Sequence, residues 1–269
     1  MRPRPTRLVL LGHPVSHSLS PAFQNAALRA AGIPLTYEAC DVTPSDLETL
    51  LGVLSREGAA GNVTAPHKVA VAGACAHLTP VARDVGAVNT FWTEHGALTG
   101  DNTDVQGFHN AVVRLRGSAP SQATIALLGA GGAAAAVLAA VAAWDRCTAR
   151  VWNRTPERAR ALCARFPVVA IPVETAASAT AGAALVVHAT IVGVAGDATP
   201  IDPALLPATA DVMDLVYRRG ETAWVRQARA RGLRAVDGLP MLIEQGALAF
   251  ERWFGELPDR AAMWAAVSG

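Results

Sequence analysis

Hydrophobic positions along this chain fall in short runs, separated by segments whose apolar residues recur at helical spacing. The run Arg7–Gly12 predicts a first strand, and Leu35–Val42 and Gly61–Thr64 predict two more. Pro21–Ala31 predicts a helix with Ser20 as N-cap and Pro21 at its first position. Ser45–Arg56 predicts a second helix, opened by a capping box of Ser45 and Glu48. Pro66 and Lys68 open a third. Gly86–Thr93 and Ala97–Gly100 predict strands joined by the turn Glu94-His95-Gly96, and Asp104–Leu115 predicts the helix that follows. The polar stretch 116–122 is the best linker candidate. Beyond it come a strand (Thr124–Leu128), a glycine turn, a helix (Ala133–Trp144), a strand (Ala149–Trp152) and a helix (Pro156–Phe166). Later strands are predicted at Leu185–Ala189 and Asp211–Asp214, and helices at Ala223–Arg231 and Leu239–Phe254. Strands alternating with helices on both sides of 116–122 predict two α/β units.

Composition narrows the function classes. The 269 residues are 51% hydrophobic and 17% charged, which fits a globular chain with a sizeable core. Lysine plus arginine number 23 against 22 acidic residues, without long single-sign runs. Generic binding to nucleic acid or an anionic membrane has no electrostatic support, so the expected partner is a small molecule. Cys40, Cys75, Cys147 and Cys163 lack metal or CxxC spacing and are expected as buried thiols in a reducing, cytoplasmic compartment. No metal site is expected. The segment Ile125–Trp144 holds 20 uncharged residues, the length of a membrane span. Its glycines and alanines fit a strand, a turn and a small-residue helix better. The arginines Arg226, Arg229, Arg231 and Arg234 are expected on a solvated helix face.

Two clusters carry candidate chemistry. Gly129-Ala130-Gly131-Gly132-Ala133-Ala134 follows a predicted strand and opens a predicted helix, the context of a dinucleotide-binding turn. Gly129 permits the tight turn, Gly131 lets backbone approach a pyrophosphate, and Ala134 allows helix to pack on strand. At the end of the next strand stands Asn153-Arg154-Thr155, without the carboxylate that would bind a ribose 2′-hydroxyl. Arg154, with Arg158 one turn on, suits a 2′-phosphate, which favours NADP. The second cluster surrounds Lys68. Of the 23 basic residues, 22 are arginine and Lys68 is the single lysine. Arginine holds its proton near neutral pH, so Lys68 stands out as a group able to transfer one. Around it, polar residues interrupt apolar sequence at His17–Ser20, Asn62–Lys68, Asn89-Thr90 and Gly100–Asp104. Four of the six asparagines, Asn62, Asn89, Asn102 and Asn153, sit at predicted strand ends. Ligands of open α/β sheets bind there, and these groups suit a small polyhydroxylated acid.

These segments, taken in order, resemble the shikimate dehydrogenase family. Ser18-Leu19-Ser20-Pro21 matches its SxSP, Asn62–Lys68 its NVTxPxK, Gly86–Thr90 its GAVNT and Gly100–Asp104 its GDNTD. Gly129–Ala133 matches GAGGA, Asn153–Thr155 matches NRT, and Asp237–Gln245 matches DGxxMLxxQ. The resemblance runs from about residue 10 to about residue 257. It implies reversible NADPH-dependent reduction of 3-dehydroshikimate to shikimate, in aromatic amino-acid biosynthesis. Lys68 would be the general acid/base, with Asp104 beside it. Ser18 and Ser20 would hold the substrate carboxylate with help from Tyr217, and Asn62, Thr64, Asn89 and Gln245 would contact substrate or order the site. NADP would lie on Gly129, Ala130, Gly131, Gly132, Ala133, Asn153, Arg154, Thr155, Arg158 and Gly238. The implied architecture is an N-terminal substrate domain (1–104 and 238–269) and a Rossmann NADP domain (105–237) with a cleft between them, in a monomer or homodimer. Val105 replaces a glycine of the family pattern, and His67 stands where phenylalanine is frequent. His188-Ala189-Thr190-Ile191 stands for NATS, and His188 is expected to pack near the cofactor without being a catalyst or metal ligand. A quinate or amino-shikimate dehydrogenase is the nearest rival. A silent NADP-binding regulatory protein is the rival of another class.

Overall fold

The computed structural model describes residues 4–218 and 220–268. The chain divides into two compact units, one formed by residues 1–107 with 242–269, the other by 108–241. Both junctions fall inside helices, so the 116–122 loop is not the point of passage.

In the first unit the elements are β1 (Leu8–Gly12), α1 (Ser20–Ala30), β2 (Tyr37–Asp41), α2 (Leu47–Glu57), β3 (Ala60–Val63), α3 (Lys68–Ala74), β4 (His77–Leu78), α4 (Pro80–Val85), β5 (Thr90–Glu94) and β6 (Ala97–Asp101). Helix α5 (Asp104–Arg116) leads out of it. The six strands form one sheet in the order β2-β1-β3-β5-β6-β4. β1, β2 and β3 run parallel, whereas β5 is antiparallel to both β3 and β6. The C-terminal ends of β1 and β3, the start of β5 and the end of β6 therefore share one edge, and the polar clusters map to it. The central strands β1 and β3 are buried on both faces, which is why β1 reads as a continuous apolar run, whereas the edge strand β2 is largely exposed. Leu8 and Leu10 face a core with Phe23 and Phe250, whereas Val9 and Leu11 face one with Leu51, Leu54 and Val71.

The second unit contains β7 (Thr124–Leu128), α6 (Gly132–Ala142), β8 (Thr148–Trp152), α7 (Pro156–Arg165), β9 (Ala170–Pro172), α8 (Ala176–Thr180), β10 (Leu185–His188), β11 (Asp211–Asp214), α9 (Ala223–Ala230) and β12 (Ala235–Val236). Helix α10 (Leu239–Phe254) leads back to the first unit, which α11 (Arg260–Ala265) completes. The second sheet is wholly parallel, in the order β12-β11-β10-β7-β8-β9. That is the doubly wound dinucleotide-binding order, with its switch point between β7 and β10. The 20-residue apolar segment resolves into β7, the glycine turn and α6, and no helix among the described residues is long and apolar enough to cross a membrane.

Several local expectations are corrected. Ser20 is the first helical residue of α1, not its side-chain cap. The Ser45/Glu48 capping box does not form: α2 starts at Leu47, and Thr43 instead bonds the Asp46 carboxylate at 2.6 Å and the Ser45 hydroxyl at 2.8 Å. Cys147 and Cys163 are buried as expected, but Cys40 and Cys75 are only half-buried. Burial pushes the Cys75 and Cys163 thiols up to about 11. None of the four arginines is simply solvated: Arg229 and Arg231 donate to the Ala235 and Leu206 carbonyls, Arg234 pairs with Asp211 at 2.6 Å, and Arg226 lies 3.9 Å from the Asp197 carboxylate.

Candidate functional site

Lys68 opens α3, just past the end of β3, and Asp104 opens α5, just past the end of β6. The Lys68 ammonium donates to Asp104 Oδ2 at 2.5 Å, with side chains 20% and 7% exposed. Asn89, immediately before β5, joins this pair to the rest of the edge. Its amide nitrogen lies 2.9 Å from Asp104 Oδ1, 2.9 Å from Thr103 Oγ1 and 3.2 Å from Gln245 Oε1. Its carbonyl oxygen accepts the Thr103 backbone N–H at 2.7 Å. Asn102 adds a second clamp, donating to the Ala87 carbonyl at 2.9 Å and accepting the Asp104 N–H at 3.1 Å. Both carboxylate oxygens of Asp104 are thus engaged. Its orientation, and with it that of the Lys68 ammonium, is set by groups nearly all buried.

The remaining expected substrate residues divide. Gln245, on α10, is held by its own turn, Nε2 donating to the Leu242 carbonyl at 2.7 Å, and Gly107 packs directly on it. Asn62 is spent on structure. It accepts the Tyr37 hydroxyl at 2.8 Å and donates to the Asn89 carbonyl at 3.1 Å. Tyr37 was not legible as a site residue, although it is one of only two tyrosines in the chain. Ser18 accepts the Ser20 backbone N–H at 3.2 Å on the loop between β1 and α1. Ser20 is buried, Ser18 half-buried, and Thr64 half-buried at the end of β3 beside Gly12. Tyr217 belongs to the second unit, half-buried in the segment after β11. His67, the family departure, is buried and donates Nε2–H to the Val42 carbonyl at 2.7 Å, which makes it a core histidine.

In the second unit Gly129 adopts φ +123° and is buried. A Cβ there would lie 2.6 Å from the Ala189 carbonyl oxygen, so only glycine fits between β7 and the loop leaving β10. Gly131 and Gly132 are exposed, with nothing within 4 Å of an added Cβ. Gly131 N-caps α6 without a side chain, leaving the first-turn amides of an 11-residue helix open to an anion. Ala134 is fully buried, as close packing of helix on strand requires. Gly129 donates to the Trp152 carbonyl at 2.8 Å, which brings the end of β8 beside the turn. Asn153 there donates to the Thr155 carbonyl, and Arg154 and Arg158 are exposed. Among the described residues neither arginine has an acidic partner. Glu157, between them, pairs with Arg160 at 3.3 Å. An open amide cradle beside two uncommitted guanidinium groups fits a dinucleotide carrying an extra phosphate. Gly238 lies against the 215–216 backbone of the same unit, where a Cβ would meet the Leu215 carbonyl at 2.3 Å. Among the described residues, no group of three or more His, Cys, Asp or Glu could hold a metal ion.

Asp237 accepts the Leu239 N–H at 3.0 Å at the start of α10. Burial pushes its carboxyl above the usual range, the Asp214 charge adds to this, and the Leu239 amide and Arg229 oppose it. An acid whose folded-state pKa is raised costs stability once ionised, and the cost vanishes below its unfolded value. Asp237→Asn keeps the acceptor and removes the charge. It is expected to melt higher than the parent at pH 7, with the gain disappearing toward pH 3, as followed by calorimetry.

Comparison with known proteins agrees with this geometry. Residues 10–91 match the shikimate dehydrogenase substrate binding domain, and residues 238–267 match the shikimate 5'-dehydrogenase C-terminal domain. The shikimate dehydrogenase (NADP(+)) of Thermus thermophilus is 42% identical over 263 residues, covering 96% of this chain and 95% of that one. The Mesorhizobium japonicum enzyme of the same name is 42% identical over 258 residues, covering 93% and 91%. A crystal structure of the Thermus thermophilus shikimate 5-dehydrogenase in complex with NADP(H) and shikimate superposes with a TM-score of 0.88. It has 41% identity and covers 97% of this chain and 98% of that one. Likeness of this degree, carried through both units, means that the chain belongs to the shikimate dehydrogenase family.

Proposed function

We propose that this protein is an NADP-dependent shikimate dehydrogenase, reversibly reducing 3-dehydroshikimate to shikimate, with Lys68 as the proton-transferring group. The observation that carries this reading is the Lys68–Asp104 pair: the single lysine of the chain, held at 2.5 Å by a carboxylate that is itself fixed by Asn89. The first unit takes the substrate and the second the dinucleotide.

Reduction of a ketone delivers a hydride to carbon and a proton to oxygen. NADPH, when bound, supplies the hydride. The Lys68 ammonium has three N–H bonds, of which Asp104 engages one. Another donates to the carbonyl oxygen, and as negative charge develops there the proton passes to it. Asp104 keeps the ammonium from swinging away and balances its charge in the resting site. In the reverse direction the neutral amine accepts the hydroxyl proton. Asn89 and Gln245 hold the ring hydroxyl side of the site. Ser18 and Ser20 meet the carboxylate from the loop after β1. Asn62 orders Asn89 through its backbone carbonyl. The open amides of Gly131, Gly132 and Ala133 receive the pyrophosphate. Arg154 and Arg158 receive the 2′-phosphate, and Asn153, Thr155, Ala130 and Gly238 shape the surrounding wall. Four free thiols suit a cytoplasmic enzyme.

The test is oxidation of shikimate by the purified protein, followed by NADPH absorbance, with quinate and NAD run alongside. Turnover of shikimate with NADP, exceeding that of the other pairs, is the expected result. No turnover of shikimate with either cofactor sinks the proposal. Replacing Arg154 and Arg158 together with serine is expected to weaken NADPH binding about 10–100-fold, the scale of one charge-assisted hydrogen bond or more. NADH binding should stay within about threefold of its parent value.

A further inference from the structure

His188 occupies the last position of β10, between Leu128 of β7 and Asp214 of β11, and is fully buried. Its two ring nitrogens are both engaged. Nδ1 lies 2.7 Å from Asp214 Oδ1 and Nε2 lies 2.5 Å from Thr190 Oγ1. The carboxylate of Asp214 also accepts the Val216 N–H at 3.0 Å and the Thr222 hydroxyl at 2.8 Å. A carboxylate only accepts, so Nδ1 is the protonated nitrogen facing it. In the neutral ring Nε2 then accepts the Thr190 hydroxyl proton. Thr190 Oγ1 in turn accepts the Val192 N–H at 3.1 Å. A continuous hydrogen-bond chain therefore runs from the backbone of the loop after β10, through Thr190 and His188, to a buried carboxylate anchored by β11 and the N-cap of α9.

The far end of this chain abuts the glycine turn. An added Cβ on Gly129 would lie 2.8 Å from Thr190 Cγ2 and 2.6 Å from the Ala189 carbonyl. With the Thr190 hydroxyl committed to His188, its methyl is left against Gly129. The loop and the turn then stand as one rigid wall at the switch point between β7 and β10, where open parallel sheets take their dinucleotide. We infer that His188 and Asp214 are positioning residues for the cofactor, fixing the loop 189–193 against the Gly129 turn through the hydroxyl of Thr190. This rests on the reading of the turn as the NADP site.

The test separates the hydroxyl from the shape of Thr190. Thr190→Val keeps the methyl and removes the O–H, and Thr190→Ser keeps the O–H. NADPH affinity, measured by fluorescence titration, is expected to fall about tenfold in Thr190→Val, whereas Thr190→Ser stays within about threefold of the parent. Amide exchange at Val192 in the unliganded protein should speed up in Thr190→Val and not in Thr190→Ser. His188→Phe should lose NADPH affinity on the same scale. Adding Thr190→Val to it should cost nothing further, because both act through one chain. The KM for shikimate should move less than about threefold, which places the effect on the cofactor and not on the substrate residues. If the parent binds NADPH and Thr190→Val binds it equally well, the proposal is overturned while the functional reading stands. A parent that binds no NADPH overturns both.

Discussion

Replacing Lys68 with alanine is expected to lower shikimate turnover by about 10²–10⁴-fold, the usual contribution of a positioned general acid. NADPH binding should hardly change, since the cradle for the dinucleotide is built from the second unit. The informative partner is Lys68→Arg. It restores a cation that can pair with Asp104, yet a guanidinium does not release its proton near neutral pH. A loss on the same scale in both variants assigns the effect to proton transfer. Arginine turning over within about threefold of the parent would assign it to charge alone and remove Lys68 from the chemistry. Steady-state kcat in both directions, together with a fluorescence titration of NADPH, separates these outcomes.

Gly61→Ala is expected to be the most damaging small substitution for the fold. Gly61 pairs with Val9 in the parallel register of β3 on β1, and a Cβ there would lie 2.1 Å from the Val9 carbonyl oxygen. Both groups are backbone in the middle of a sheet, so no side chain can turn away. The strands must part, with a cost of about 4 kcal/mol or more, which few single substitutions reach. At the scale of a domain this size the melting temperature of the first unit should fall by roughly 10 °C or more. Asn62 and Lys68 follow on the same stretch of chain, so turnover should fall with it. Gly73→Ala is the control. It lies in α3 with nothing within 4 Å of an added Cβ, and should stabilise by about 0.5–1 kcal/mol. Thermal melts of the two variants check both predictions, and a Gly61→Ala protein melting with the parent would refute the register argument.

The sequence made the candidate site legible where rare residues stand. One lysine among 23 basic positions and six asparagines, four of them at strand ends, pointed to the edge on which Lys68, Asn89 and Asp104 meet. Apolar runs ending in glycine made β1 and β7 legible because a buried parallel strand shows as an uninterrupted apolar run. What the sequence left hidden depended on strand order. His188 and Asp214 are 26 positions apart and meet only because β10 and β11 are neighbours in register. Tyr37 and Asn62 meet across β1 for a like reason. The strands β4 and β12 have two residues each, too few to show an alternation. The capping box at Ser45 failed because Thr43 competed successfully for the same turn. The helix α11 packs against α1, with Met263 fully buried in the core shared with Phe23, a contact between distant parts of the chain that no local pattern shows.

The near-absence of lysine has a practical corollary. Lys68 carries the only side-chain primary amine, and it is still 20% exposed beside Asp104. Reductive methylation, which modifies amines alone, therefore has one side-chain target in the sequence. A single mass increment on the peptide containing Lys68 should track inactivation one for one, and saturating shikimate should slow its appearance. The protein thus reports occupancy of its own site by stoichiometric labelling, without any engineered tag.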